Sequence, residues 1–184
     1  MKADRAAENP STLNSRGMDL TEGGRYDEAI AAFTRALELE PGNAGLRYNR
    51  GEAYRRAGLM DEALTDLAAV LEAEGEEPDL LLALGLVHYE ADDFDRAEAS
   101  YERALVLKSD FPEAWNDLGV VKFRRGDYAG ARSCFEKAVS LRDRYGEAWY
   151  NLADAYGELG LGRERHRARE KLRALGEQSG EDEE

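Results

Sequence analysis

The 184-residue sequence predicts an all-α fold, a solenoid of antiparallel helix pairs, on three observations. Small and large residues recur every 34 residues without a break in register. Each 34-residue stretch carries two helical stripes separated by a turn residue. Neither stripe can be buried by one helix pair alone, so neighbouring pairs must stack.

The recurrence is direct. Alanine returns at Ala29, Ala63, Ala97 and Ala131, and a large apolar residue at Phe33, Leu67, Tyr101 and Phe135. Glycine returns at Gly17, Gly51, Gly85 and Gly119, with Ala153 completing the series. The spacing divides the chain into an extension 1–9, repeats 10–43, 44–77, 78–111, 112–145 and 146–179 forming one solenoid domain, and an acidic tail 180–184. Residues 1–8 and the tail are expected to be disordered.

Within the fourth repeat, Trp115, Leu118, Gly119 and Lys122 fall on one helical stripe. Gly126 is positioned to stop that helix in a left-handed conformation. A second helix then carries Ala131, Phe135, Ala138 and Leu141. Gly24, Gly58 and Gly160 occupy the same stop position, and Asp92 takes it in the third repeat, where aspartate tolerates positive φ better than most residues. Pro41 closes the first repeat and Pro112 opens the fourth helix pair. Gly119 and Ala131 mark a close helix crossing, with Trp115, Leu118 and Phe135 filling the space beside it.

Composition limits the function. The chain has 39 carboxylates against 25 lysines and arginines, a net charge of −14, with 42% of residues apolar. This excludes a disordered chain and disfavours nucleic acid and anionic membranes as partners, since both need phosphate neutralisation. The lone Cys134 cannot form an intramolecular disulfide and reads as a packing thiol. No apolar run reaches membrane-spanning length and no signal peptide is visible, so the expected location is the cytoplasm.

No chemistry-bearing constellation emerges. His88 and His166 lie in different repeats, and His88 aligns with Tyr54 and Tyr156 on a buried stripe. Asp92-Asp93-Phe94-Asp95 lacks the glycine and distal glutamate of a calcium loop and aligns with the turn Gly126-Asp127-Tyr128. Gly157, Gly160 and Gly162 are followed by no Lys-Ser or Lys-Thr pair. The reading is therefore no enzyme, no catalytic residues, no cofactor and no metal; an enzyme would need His88 or Cys134 accessible beside a polar cleft.

Trp149, Leu152, Ala153 and Tyr156 for the first part of the repeat, and Ala97, Tyr101 and Ala104 for its later part, resemble the tetratricopeptide-repeat family, over about residues 10–179. The resemblance implies a right-handed α-α superhelical solenoid whose first helices line a concave groove for protein partners. Arg16 and Arg50 depart from the leucine the family prefers, and Arg47 from a large apolar residue. Arg165 and Arg169 replace the alanine and aromatic of the last repeat. That basic helix reads as a solvated terminal cap, with a nucleic-acid patch as the alternative. The carboxylate clamp of chaperone-binding members is missing, because Ser11, Asn14, Asp79, Leu82, Ala83 and Glu113 occupy its places.

At about 100° per residue, the face opposite the buried stripe falls on the second, sixth, ninth and thirteenth places of each repeat, flanked by the fifth and twelfth. The candidate partner-binding residues are Asn14, Met18, Tyr48, Asn49, Arg55, Leu82, Leu86, Tyr89, Asn116, Val120, Phe123, Arg124, Tyr150, Asn151 and Asp154. Leu82, Leu86, Tyr89, Val120 and Phe123 make an apolar middle, and Glu113, Asp117, Glu147, Asp154 and Glu158 an acidic end. The asparagines could bond a ligand backbone, whereas Tyr48, Tyr150 and Phe123 are equally read as packing against adjacent helices. The expected function is a protein-interaction scaffold or adaptor that holds a partner segment with apolar anchors and basic residues. Self-assembly into a homo-oligomer is the alternative.

Overall fold

The computed structural model describes residues 9–181, with side chains described through Gly176. Residues 1–8 and 182–184 lie outside the described residues, and with them the disorder expected of 1–8 and of the last part of the tail. Ten helices and no strand occur among the described residues. The first helices of the repeats are α1 (Pro10–Glu22), α3 (Ala44–Arg56), α5 (Pro78–Glu90), α7 (Pro112–Arg124) and α9 (Gly146–Glu158). The second helices are α2 (Tyr26–Leu39), α4 (Met60–Glu74), α6 (Phe94–Leu107), α8 (Tyr128–Leu141) and α10 (Gly162–Glu181). α10 continues to Glu181 and so reaches into the stretch 180–184.

The helix ends follow from local chemistry. Proline occupies the first turn of α1, α5 and α7, where its missing N–H costs no hydrogen bond. Asn9, Asn43, Asp93 and Asp127 cap α1, α3, α6 and α8 by accepting a backbone N–H with their side chains. Each first helix ends at a left-handed residue, Gly24, Gly58, Asp92, Gly126 or Gly160, as the sequence predicts. Around Gly126 the Asp127 N–H closes the helix by donating to the Lys122 carbonyl at 3.0 Å, and the same bond recurs from Arg25 to Leu20, Leu59 to Tyr54 and Leu161 to Tyr156.

The chain forms two compact units, residues 1–92 and 93–184. In the first, each of α1 to α5 packs against its neighbours in sequence, and α3 also touches α1 and α5. Leu13, Phe33, Ala36 and Leu46 form one core, and Ala63, Leu67, Val70, Leu84 and Val87 another. In the second unit α6 to α10 pack in the same serial way, with α7 against α9. Its core gathers Ala131, Phe135, Ala138, Leu152 and Ala155. Burying a ring such as Phe33 or Phe135, each 1% exposed, contributes about 1.5–3 kcal/mol.

The glycine–aromatic recurrence has a steric cause. A Cβ at Gly119 would stand 2.5 Å from Phe135 Cε1, and one at Gly17 2.6 Å from Phe33 Cε1. The ring of the second helix occupies the volume that a side chain on the first would need. Phe135 therefore lies directly over Gly119 rather than beside the crossing.

Two arginines that depart from the family pattern have structural tasks. Arg47 donates from Nη2 to the Pro41 carbonyl at 2.9 Å. The Trp115 and Trp149 indoles make the equivalent bond, to Ser109 and Asp143, across the same six residues. Arg50 grips Asp66, which is 3% exposed, through Nε at 2.6 Å and Nη2 at 2.8 Å, and donates to Thr34 at 3.1 Å. It ties α3 to both α4 and α2.

Candidate functional site

Both units contain the same cleft at the same place in the repeat. In the first unit an open cleft of about 400 Å³ is lined by Met18, Thr21, Glu22, Phe33, Asn49, Glu52 and Arg56. In the second a cleft of about 290 Å³ is lined by Val120, Phe123, Arg124, Phe135, Asn151 and Asp154. Each lies between consecutive first helices, over the phenylalanine that packs on its glycine. Met18 corresponds to Val120, Thr21 to Phe123, Glu22 to Arg124, Asn49 to Asn151 and Glu52 to Asp154. The first cleft is thus polar at its rim, and the second is apolar on the α7 side.

A pair of asparagines clasps the two first helices beside each cleft. Asn49 Nδ2 donates to Asn14 Oδ1 at 2.8 Å, and Asn151 Nδ2 donates to Asn116 Oδ1 at 2.9 Å. Asn116 is 0% exposed, and its own amino group donates to Asp117 at 3.2 Å and Glu147 at 3.3 Å. This corrects the expectation that Asn116 could bond a ligand: α9 covers it, and its hydrogen bonds are satisfied inside the unit. Asn14 is similarly engaged, accepting from Asn49 and donating to the Met18 sulfur at 3.7 Å.

Of the other expected site residues, Val120, Phe123, Arg124, Asn151 and Asp154 come together in one cleft, and Met18 and Asn49 in the other. Arg55 is committed within the chain, to Glu52 at 2.7 Å and to Glu90. Burial pushes the Glu52 carboxyl up, but the hydrogen bonds and charges of Arg55 and then Arg56 outweigh this and hold it below its ordinary value. Tyr48 is half-buried against Ala44 and Leu80, and its phenol is raised by burial and by Glu52 and Asp79. Phe123 packs edge-on to Tyr128 with ring centroids 5.0 Å apart, while Tyr150 is 57% exposed and Met18 46% exposed. Leu82, Leu86 and Tyr89 are half-buried on α5.

The acidic end is partly structural. Glu113 and Glu147 lie in the first turns of α7 and α9, where the helix dipole favours a negative charge. Glu113 also pairs with Arg142 at 2.5 Å. The Tyr145 phenol records the local field, raised by burial and then by Asp117, Glu147 and Glu113.

Two features escaped the sequence reading: Phe33 and Phe135 serve as cleft floors, and Thr21 lines the first cleft. The 34-residue alignment carries a signal for both: each ring pairs with the sixth-place asparagine of the next repeat, and Thr21 stands at the twelfth place that flanks the groove face.

Cys134 is 5% exposed, and burial raises its thiol to about 11, far from a thiolate at neutral pH. No helix among the described residues is long and apolar enough to cross a membrane.

The tetratricopeptide-repeat family model matches residues 15–78, 82–140 and 116–162. The chain belongs to the tetratricopeptide-repeat family. Tetratricopeptide repeat protein 36 of Caenorhabditis elegans is 51% identical over 43 residues, a match spanning 23% of this chain and only 24% of that relative. Among solved structures, MamA is similar at TM-score 0.77 and 24% identity, covering 90% of this chain and 96% of that one. YrrB, described as a TPR protein with an unusual peptide-binding site, is similar at TM-score 0.66 and 23% identity, covering 91% and 87%. These likenesses show the fold, an all-α superhelical solenoid of antiparallel helix pairs. Tetratricopeptide repeats are in general non-catalytic protein-interaction modules, and this chain carries the fold of such a scaffold.

Proposed function

We propose that the first-helix face of each tetratricopeptide unit docks an extended or helical segment of a partner protein, the segment bringing apolar anchors and basic residues. The observation that carries this reading is the repeated cleft, found in both units over Phe33 and Phe135 and bordered by an asparagine of the next repeat. A concave, partly apolar depression with a few polar groups is the usual form of a side-chain pocket. The apolar lining of Val120 and Phe123 supplies the anchor, and the acidic residues around Asp154 favour a basic segment. In YrrB, too, a site for a peptide accompanies this fold.

Selection of a displayed peptide library on the intact protein tests the reading. Peptides that bind are then measured against Phe123→Glu and against Tyr150→Glu, which alters a side chain 57% exposed and leaves the core untouched. Both variants are expected to lose binding, whereas Val106→Glu, at a residue 71% exposed on the second helix α6, is expected to retain it. Equal binding by all three removes the first-helix face from the account. Loss confined to Val106→Glu favours the second-helix surface instead, where Val106, Leu107 and Leu141 are exposed and self-assembly would have its edge.

A further inference from the structure

Resting on that reading, we infer that the cleft over Phe135 receives an arginine side chain from the partner segment, with its guanidinium paired to Asp154. Asn116 sets the polarity of this cleft. Its Nδ2 donates to the Asp117 and Glu147 carboxylates, which leaves Oδ1 as the atom that accepts from Asn151 Nδ2 at 2.9 Å. Asn151 thereby commits one of its two amide N–H donors to Asn116, and its carbonyl oxygen accepts no hydrogen bond within the described residues. Asp154 lines the same cleft and has no ion-pair partner among them. Two acceptors, one of them charged, thus stand beside an apolar surface of Val120, Phe123 and Phe135. The complementary ligand is an aliphatic stem ending in a cationic donor.

The first unit shows the matching carboxylate already paired, although the cleft beside it stays open. There Glu52 stands at the place of Asp154, and the chain supplies its own guanidinium groups to it. Arg55 donates to Glu52 from Nε at 2.9 Å and Nη2 at 2.7 Å, and Arg56 donates from Nε at 2.8 Å. The asparagine clasp beside it has the same polarity, from Asn49 to Asn14. In the last repeat Gly157 and Glu158 occupy the places of Arg55 and Arg56. The carboxylate remains, and the arginines that would neutralise it are replaced by a residue without a side chain and by a second acid. What α3 provides internally to Glu52, the partner provides to Asp154. Arg124, exposed on the α7 side of the cleft and without an ion-pair partner among the described residues, fixes the direction: the bound guanidinium sits on the α9 side, and a carboxylate next to it in the partner meets Arg124.

The test is a nuclear magnetic resonance titration of the full chain with N-acetyl-arginine amide and with N-acetyl-citrulline amide, its neutral counterpart of the same shape. The arginine probe is expected to give saturable shifts at the Asn151 side-chain amide and at the Val120, Phe123 and Asp154 backbone amides. The citrulline probe is expected to give none. Asp154→Asn keeps the shape and is expected to weaken arginine binding roughly tenfold or more, the loss of a charge-assisted pair. Glu158→Arg rebuilds the Arg56 arrangement, so it should pair with Asp154 and weaken binding of the probe while leaving the helical circular dichroism unchanged. Equal shifts with citrulline, shifts that do not saturate, or unaltered affinity in Asp154→Asn overturn the inference. If the arginine probe fails while selected peptides still lose binding in Tyr150→Glu, the arginine assignment falls and the docking face stands. If the peptides are also insensitive, both fall.

Discussion

Adding one methyl group at Gly119 puts the packing of the helix pair to a quantitative test. The Cβ of alanine would stand 2.5, 2.7 and 3.0 Å from Phe135 Cε1, Cδ1 and Cζ, where carbon atoms normally rest about 3.5–4.0 Å apart. The ring is 1% exposed and cannot swing into solvent, so it or its helix must shift by about 1 Å. Overpacking costs about 1–3 kcal/mol, and contacts this short against a ring that cannot move aside put it in the upper part of that range, about 2–3 kcal/mol. Alanine recovers about 1 kcal/mol from its better helix propensity. The balance for Gly119→Ala is a net destabilisation on the order of 1–2 kcal/mol. Gly51 is the internal control, because its added Cβ would meet Leu67 Cγ at 3.1 Å and Cδ2 at 3.2 Å. Those contacts need only a few tenths of an ångström of relief from a flexible side chain, so propensity offsets them and Gly51→Ala should lie within about 0.5 kcal/mol of the parent. Urea unfolding followed by circular dichroism gives both values, read as midpoint shifts at constant slope. A Gly119→Ala protein as stable as the parent, or a Gly51→Ala protein losing as much, refutes the ring-over-glycine account.

Two more outcomes follow from the buried polar groups. Asp66→Asn leaves the Arg50 guanidinium without its charged partner and should cost about 3 kcal/mol, whereas Arg50→Leu combined with Asp66→Leu should come within about 1 kcal/mol of the parent, as for other buried pairs replaced by apolar residues; comparison of their urea midpoints decides. Alkali should destabilise the fold through Cys134. Its thiol is raised from 9.0 to about 11, so both states are protonated below pH 9, the unfolded chain ionises first above it, and stability falls between pH 9 and 11. The loss is on the order of 1–2 kcal/mol, and Cys134→Ala should remove that part of the slope in unfolding measured across the same range.

The helix pairs were legible because the signals that create them are local. A left-handed stop at Gly24, Gly58, Gly126 or Gly160, and even at Asp92, depends on the residue itself and its few neighbours. Arg47 and Arg50 looked like departures from a pattern because their partners are set by packing. Pro41, Thr34 and Asp66 become neighbours only when the helices close. Asn116 shows the limit of helical-face arithmetic. Its angle puts it on the flank of the groove face, but α9 lies against that flank and seals it, which one helix taken alone cannot reveal. Arg55 was placed on the right face for the same reason, yet Glu52 and Glu90 claim it before any partner can. The clefts needed both kinds of information: the glycine–phenylalanine recurrence that builds the floor, and the stacking of successive first helices that raises the walls.

Hydrogen exchange on the full chain, with and without a saturating peptide taken from the library selection, reaches the central claim most directly. The account predicts that protection appears in first helices, in α7 and α9 around Val120, Phe123 and Asn151, while the exposed ends of α6 and α8 near Val106 and Leu141 exchange unchanged. Protection confined to the second helices would contradict it.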